Sequence, residues 1–156
     1  MHKIAKDRHH YTTLLIDQGA DINQGGAGHE ALPLHTAIKY QHASWSNSGQ
    51  HRDTINLLVQ RGANVTLQDD LGNTPLHIAA SIGDIQTAEL LLDKNPAIIN
   101  MQNKQGNTPL HEAAINEQIE MIKWLLNKGA HKSICNVAGQ PPADLATRNA
   151  VAELLK

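Results

Sequence analysis

A chain of 156 residues, 40% of them hydrophobic and 18% charged, suits one domain with a packed core. Its apolar runs stop short of a bilayer span, as at Leu90-Leu91-Leu92, and a formal net charge of −2 without a Lys or Arg block argues against nucleic acid or an anionic membrane as partner. The single Cys135 excludes an internal disulfide and fits a reducing compartment, while two Trp, two Tyr and no Phe are too few aromatics to anchor one deep core.

Internal repetition takes the place of that core. The opening stretch MHKIAKDRHH lacks the apolar run of a secretory signal, and residues 1–23 close as LIDQGADIN. Over 27–65 the sequence Leu32-Pro33-Leu34-His35-Thr36-Ala37 leads to LVQRGANV. The next two segments, 69–100 and 103–134, are alike: 12 of 26 positions agree between 69–94 and 103–128, among them Gly-Asn-Thr-Pro-Leu-His and the paired alanines and leucines. Residues 136–156 repeat the pattern with Pro for Thr and Asp for His, over Gly139-Gln140-Pro141-Pro142-Ala143-Asp144-Leu145-Ala146.

Each segment reads as a helix, a turn and a second helix. Thr74 and Thr108 are placed to cap the first helix, and Pro75 and Pro109 occupy its first turn, where no N–H is needed. Ala79-Ala80 and Ala113-Ala114 thin one face so that a second helix can approach closely. That second helix carries Ile85, Ala88, Leu91 and Leu92, or Ile119, Ile122, Leu125 and Leu126, at a spacing of three and four. Gly62 and Gly129 end it in the left-handed conformation. One such unit leaves a face unburied, so neighbours must stack.

This constellation resembles the ankyrin repeat, with its Thr-Pro-Leu-His-x-Ala signature and a period of about 33 residues. The resemblance implies an all-α solenoid of about nine short helices with projecting turns. Its single domain, 1–156, holds a partial repeat at 1–23, an expanded one at 27–65, two regular ones at 69–100 and 103–134, and a terminal one at 136–156. Met1-His2-Lys3-Ile4-Ala5 imitates the middle of the motif, so the chain is expected to start inside a first helix, as a piece of a longer protein or a degenerate cap. Three departures stand out. About nine residues are added between the helices of the second repeat, within 42–52, a Ser-, Asn- and His-rich stretch holding Trp45. Asn95-Pro96 replaces Gly-Ala, and Glu117 stands where Gly83 stands one repeat earlier.

Catalytic and metal chemistry find no support. His35, His77 and His111 line up, but stacked helices lie about 8–10 Å apart and a zinc–nitrogen bond is about 2 Å, so one ion cannot bridge two rungs. The resemblance gives these histidines a structural bond to the turn backbone. His9-His10 point apart on a helix. Gly25-Gly26-Ala27-Gly28 lacks the strand before and the Lys-Ser/Thr after that a phosphate loop needs. Asp69-Asp70 reads as a solvated pair. No cofactor is expected. Asn23 resembles the ankyrin asparagine that an oxygenase hydroxylates in animal cells, though Asn in that turn already caps locally.

The leading functional expectation is a non-catalytic, monomeric, cytoplasmic module that binds another protein. By resemblance its surface is the concave side. The turn tips contribute Asp70, Leu71, Asn73, Lys104, Gln105 and Asn107, and the first helices Lys39, Tyr40, Ser81, Ile82, Ile115 and Asn116. Trp45 is a candidate anchor on the inserted stretch. Two alternatives stay open. One is the recognition domain of a larger enzyme or of a bacterial effector in host cytosol, the Asn-, Gln- and Lys-rich composition pointing to an AT-rich genome. The other is an enzyme inhibitor acting through the inserted loop.

Overall fold

A computed structural model of the chain describes residues 18–19, 22–23, 33–39 and 48–156. Most of the partial first repeat, His9-His10, the Gly25–Gly28 stretch, Tyr40 and Trp45 lie outside the described residues. Seven α-helices, two 3₁₀ turns and no strand are found among the described residues. The chain forms two compact units, 1–64 and 65–156.

In the first unit, α1 (Pro33–Lys39) packs on α2 (Ser48–Gln60). Leu34, His35 and Ile38 of α1 and Ile55, Leu58 and Val59 of α2 are buried. The α2 helix begins at Ser48, so the last part of the inserted stretch lengthens a helix rather than forming loop. Gly62 closes α2 with φ 91°, and the Ala63 amide donates to the Leu58 carbonyl at 3.0 Å. Asn23 accepts a hydrogen bond from the Asn64 amide at 2.7 Å, a local role for its side chain.

The second unit runs α3 (Pro75–Ile82), α4 (Ile85–Lys94), a 3₁₀ turn (Pro96–Asn100), α5 (Pro109–Ile115), α6 (Ile119–Asn127), a second 3₁₀ turn (Pro142–Leu145) and α7 (Asn149–Leu154). The first helices stack on one another, α3 on α5 and α5 on the second 3₁₀ turn, and each outer helix packs on the inner one before it. Close stacking is possible because Ala79, Ala80, Ala113 and Ala114 are fully buried and put only a methyl group in the interface. Leu76, Leu91, Leu110, Ile122 and Leu125 fill the space around them, all without solvent exposure. Met121 joins this core, whereas Ile85, Ile119 and Leu126 are half-buried.

Each sequence departure has a local structural consequence. The extra residue at Asn95-Pro96 is taken up by the first 3₁₀ turn: Asn95 accepts from the Ala97 amide at 3.1 Å, and Ile98 and Ile99 are carried into the core. In the repeat that starts at Asn136, an α-helix gives way to the second 3₁₀ turn. Pro141 and Asp144 stand where Thr and His would form the cap, and the N-cap position makes no side-chain hydrogen bond. Glu117 adopts φ 56°, as Gly83 adopts 77°, at a cost of about 1–2 kcal/mol for a residue with a Cβ. Its carboxylate partly offsets that cost, pairing with the Arg148 guanidinium at 3.1 Å and accepting from the Thr147 hydroxyl.

Leu125→Ala is expected to destabilise the fold by about 2–5 kcal/mol in urea titration, the range for a fully buried leucine in a core that cannot collapse onto the void.

Candidate partner-binding surface

Every projecting turn of the second unit is built on one carboxyl or amide oxygen. Asp69 Oδ1 accepts from the Leu71 and Asn73 amides, both at 2.9 Å. Asn103 Oδ1 does the same for Gln105 and Asn107 at 3.0 Å, and Asn136 Oδ1 for Ala138 and Gln140 at 3.0 and 2.9 Å. Asp and Asn suit this position because a short side chain can fold back on its own turn. Asp69 is therefore a turn-former, a correction to its reading as half of a solvated pair.

Neighbouring turns are then joined edge to edge. The Lys104 amide donates to the Leu71 carbonyl at 3.1 Å, and the Val137 amide to the Gln105 carbonyl at 2.9 Å. Approach is so close that a Cβ on Gly72 would meet Lys104 N at 2.6 Å, and one on Gly106 would meet Val137 N at 2.6 Å. Only glycine fits there, both for φ 78° and for space. Amides add a second row, from Asn103 Nδ2 to Asn73 Oδ1 at 2.9 Å and from Asn136 Nδ2 to Asn107 Oδ1 at 3.0 Å.

The histidines fix the turns to the helices. The Thr74 amide donates to His77 Nδ1 at 3.1 Å, while Thr74 Oγ1 accepts from the His77 amide at 3.4 Å, a reciprocal cap. With Nδ1 accepting, Nε2 carries the proton, and it donates to the Asn107 carbonyl of the next turn at 2.8 Å. His111 repeats the arrangement, with Thr108 at 3.0 Å and the Gln140 carbonyl at 2.9 Å. Both lone-pair and proton are thus engaged on each ring, which leaves no donor for a metal. Among the described residues, no group of three or more His, Cys, Asp or Glu is placed to hold an ion. Burial pushes the His77 pKa down from 6.5 to about 4, against the raising effect of its backbone hydrogen bonds, and lowers that of His111 for the same reason.

The sequence-predicted contact residues separate into different environments. Asp70, Lys104 and Gln105 are exposed on the turns, and Leu71 is 68% exposed although fully apolar. Ile115 and Asn116 are exposed at the end of α5, the former at 42%; Ser81 and Ile82 at the end of α3 are half-buried, with the Ser81 hydroxyl donating to the Ile78 carbonyl at 2.7 Å. Asn73 is half-buried and already bonded to Asn103. Asn107 is a correction: it is only 3% exposed, its side chain held by Asn136, Gln105 and Glu112, so it builds the turn and does not face solvent. Lys39 is exposed in the first unit. Val137, 80% exposed, was not among the predicted residues, yet it occupies the turn position of Asp70 and Lys104 and could have been found by extending the period.

A family model described as ankyrin repeats (3 copies) matches residues 42–136. The chain belongs to the ankyrin-repeat family. Similar proteins include Rabankyrin-5 of Mus musculus, 36% identical over 70 residues, and Rabankyrin-5 of Homo sapiens, 34% identical over 74 residues. The matches cover 44% and 46% of this chain but only 6% of each relative's length. Ankyrin repeats generally mediate protein–protein interaction and are typically non-catalytic. Among the described residues, no helix of this ankyrin array is long and apolar enough to cross a membrane.

The neutral histidines make array stability depend on pH. Between pH 6.5 and about 4 the unfolded chain takes up a proton at position 77 that the folded chain refuses, so stability is full above 6.5 and falls as pH drops toward 4. A shift of that size corresponds to about 3 kcal/mol for His77 alone, and His111 acts in the same direction. Denaturant titrations from pH 7.5 to 4.5 are expected to show this loss. His77→Asn, though less stable overall, is expected to flatten the slope.

Proposed function

We propose that this ankyrin array is a non-catalytic module that binds a protein partner across the turn tips and the exposed ends of the first helices. The observation that carries the reading is the exposure of Leu71 and Ile115, two large apolar side chains on a surface otherwise lined by Asp70, Lys104, Gln105 and Asn116. Apolar groups among polar ones are the usual make-up of a recognition surface. Rigidity supports it too: the turns are bonded within and between repeats, so little ordering entropy is lost on binding. Ser81, Ile82 and Val137 are further candidates in the second unit, and Lys39, Tyr40 and Trp45 are separate candidates in the first. The single cysteine fits a cytoplasmic setting.

The test is a partner captured from lysate by the wild-type chain, identified by mass spectrometry and measured again by calorimetry with variants. Leu71→Asp combined with Ile115→Asp is expected to abolish binding, since a charge left unpaired in a desolvated contact costs several kcal/mol, while thermal unfolding stays within a few degrees of wild type. Full affinity in the folded double variant would place the contact elsewhere, and Trp45→Ala then tests the inserted stretch.

A further inference from the structure

A second surface feature lies away from the turns, on the outer helices. Between α4, the first 3₁₀ turn and α6 is an open groove of about 190 Å3. Its apolar lining comes from Leu92, Pro96, Ile99 and the indole of Trp124, and its rim carries Glu89 and Asp93, one helical turn apart on α4. Among the described residues neither carboxylate has an ion pair; like charges at this spacing repel one another, so a cation placed between them is favoured. Lys128, also on the rim, holds its ammonium 5.6 Å from the centre of the Trp124 ring. The indole face is therefore already used as a cation seat, by a side chain that is itself exposed and tethered on a flexible stem.

We propose that this groove receives an arginine side chain from a protein partner, with Lys128 as an internal occupant that the arginine displaces. The charge pattern favours a cation, since two carboxylates and only one ammonium line the groove. The shape favours a long one, whose methylene stem lies along Leu92, Pro96 and Ile99. Arginine outcompetes lysine at such a seat because its planar guanidinium stacks on an indole while its fork bonds a carboxylate in two places. The groove is separate from the turn-tip contact, so binding at one does not require binding at the other.

The test follows the Trp124 indole N–H signal in NMR spectra of the full chain during titration with the peptide acetyl-Gly-Arg-Gly-amide. A saturable shift is expected. The lysine analogue is expected to bind several-fold more weakly and the norleucine analogue not at all. Lys128→Ala, which removes the competing cation at an exposed site, is expected to tighten arginine binding several-fold. Glu89→Gln with Asp93→Asn is expected to weaken it about tenfold without altering the melting temperature. No saturable shift, an equal response to norleucine, or unchanged affinity in both variants would each overturn the proposal.

Discussion

The imidazole at the start of α3 and of α5 is the joint on which the second unit depends. One ring closes the cap of its own helix through Nδ1 and reaches the next turn through Nε2, so a bond that forms the unit also fixes the distance to its neighbour. A neutral ring is required, because protonation would turn Nδ1 into a second donor facing the Thr74 or Thr108 amide. Burial enforces that neutrality, and at His77 the same burial makes the bond strong by keeping water from the Asn107 carbonyl.

Everything else in the second unit is scaled to the spacing this joint sets. Alanines at the stacking face and glycines in the turns are two answers to one demand, that backbone come close to backbone. Leucines and isoleucines of the outer helices then fill what the alanines leave open. The array needs no aromatic core because no interior point is far from a backbone, and repeated small burials replace a few large ones. Trp124 illustrates the corollary: an aromatic that the core does not require is left half in solvent, where it lines a groove.

The features legible in the sequence were those carried by one residue type at one position in each period. Thr74, Pro75, His77 and the alanine pairs gave helix starts, caps and stacking face, and Gly62 and Gly129 gave helix ends. What escaped was set by partners in other repeats. Asp69 reads as a surface acid although its oxygen holds two amides, and Asn107 reads as a tip residue although Asn136 bonds its side chain from the next turn. In both cases the pattern Asp69, Asn103, Asn136 was present in the chain, but a residue that folds back and one that points outward share the same polarity. The repeat at 136–156 is harder still. Replacing Thr and His by Pro141 and Asp144 removes both halves of the cap, and only the geometry shows that a 3₁₀ turn then suffices to cover α5.

Glu117 shows how a repeat without the Thr–His cap is held. Glycine would relieve the left-handed backbone, yet it would also remove the carboxylate that holds Thr147 and Arg148. The ion pair alone does not balance the strain: Arg148 is largely exposed, and pairs of that kind contribute at most about 1 kcal/mol. Position matters more than strength. Thr147 and Arg148 lie between the second 3₁₀ turn and α7, where no Thr–His cap anchors the repeat. A residue unfavourable in its own turn thus tethers a neighbour that lacks the standard joint, and the cost in one repeat is set against the docking of the next. In a solenoid stabilised by nearest-neighbour contacts, that trade is available at any interface.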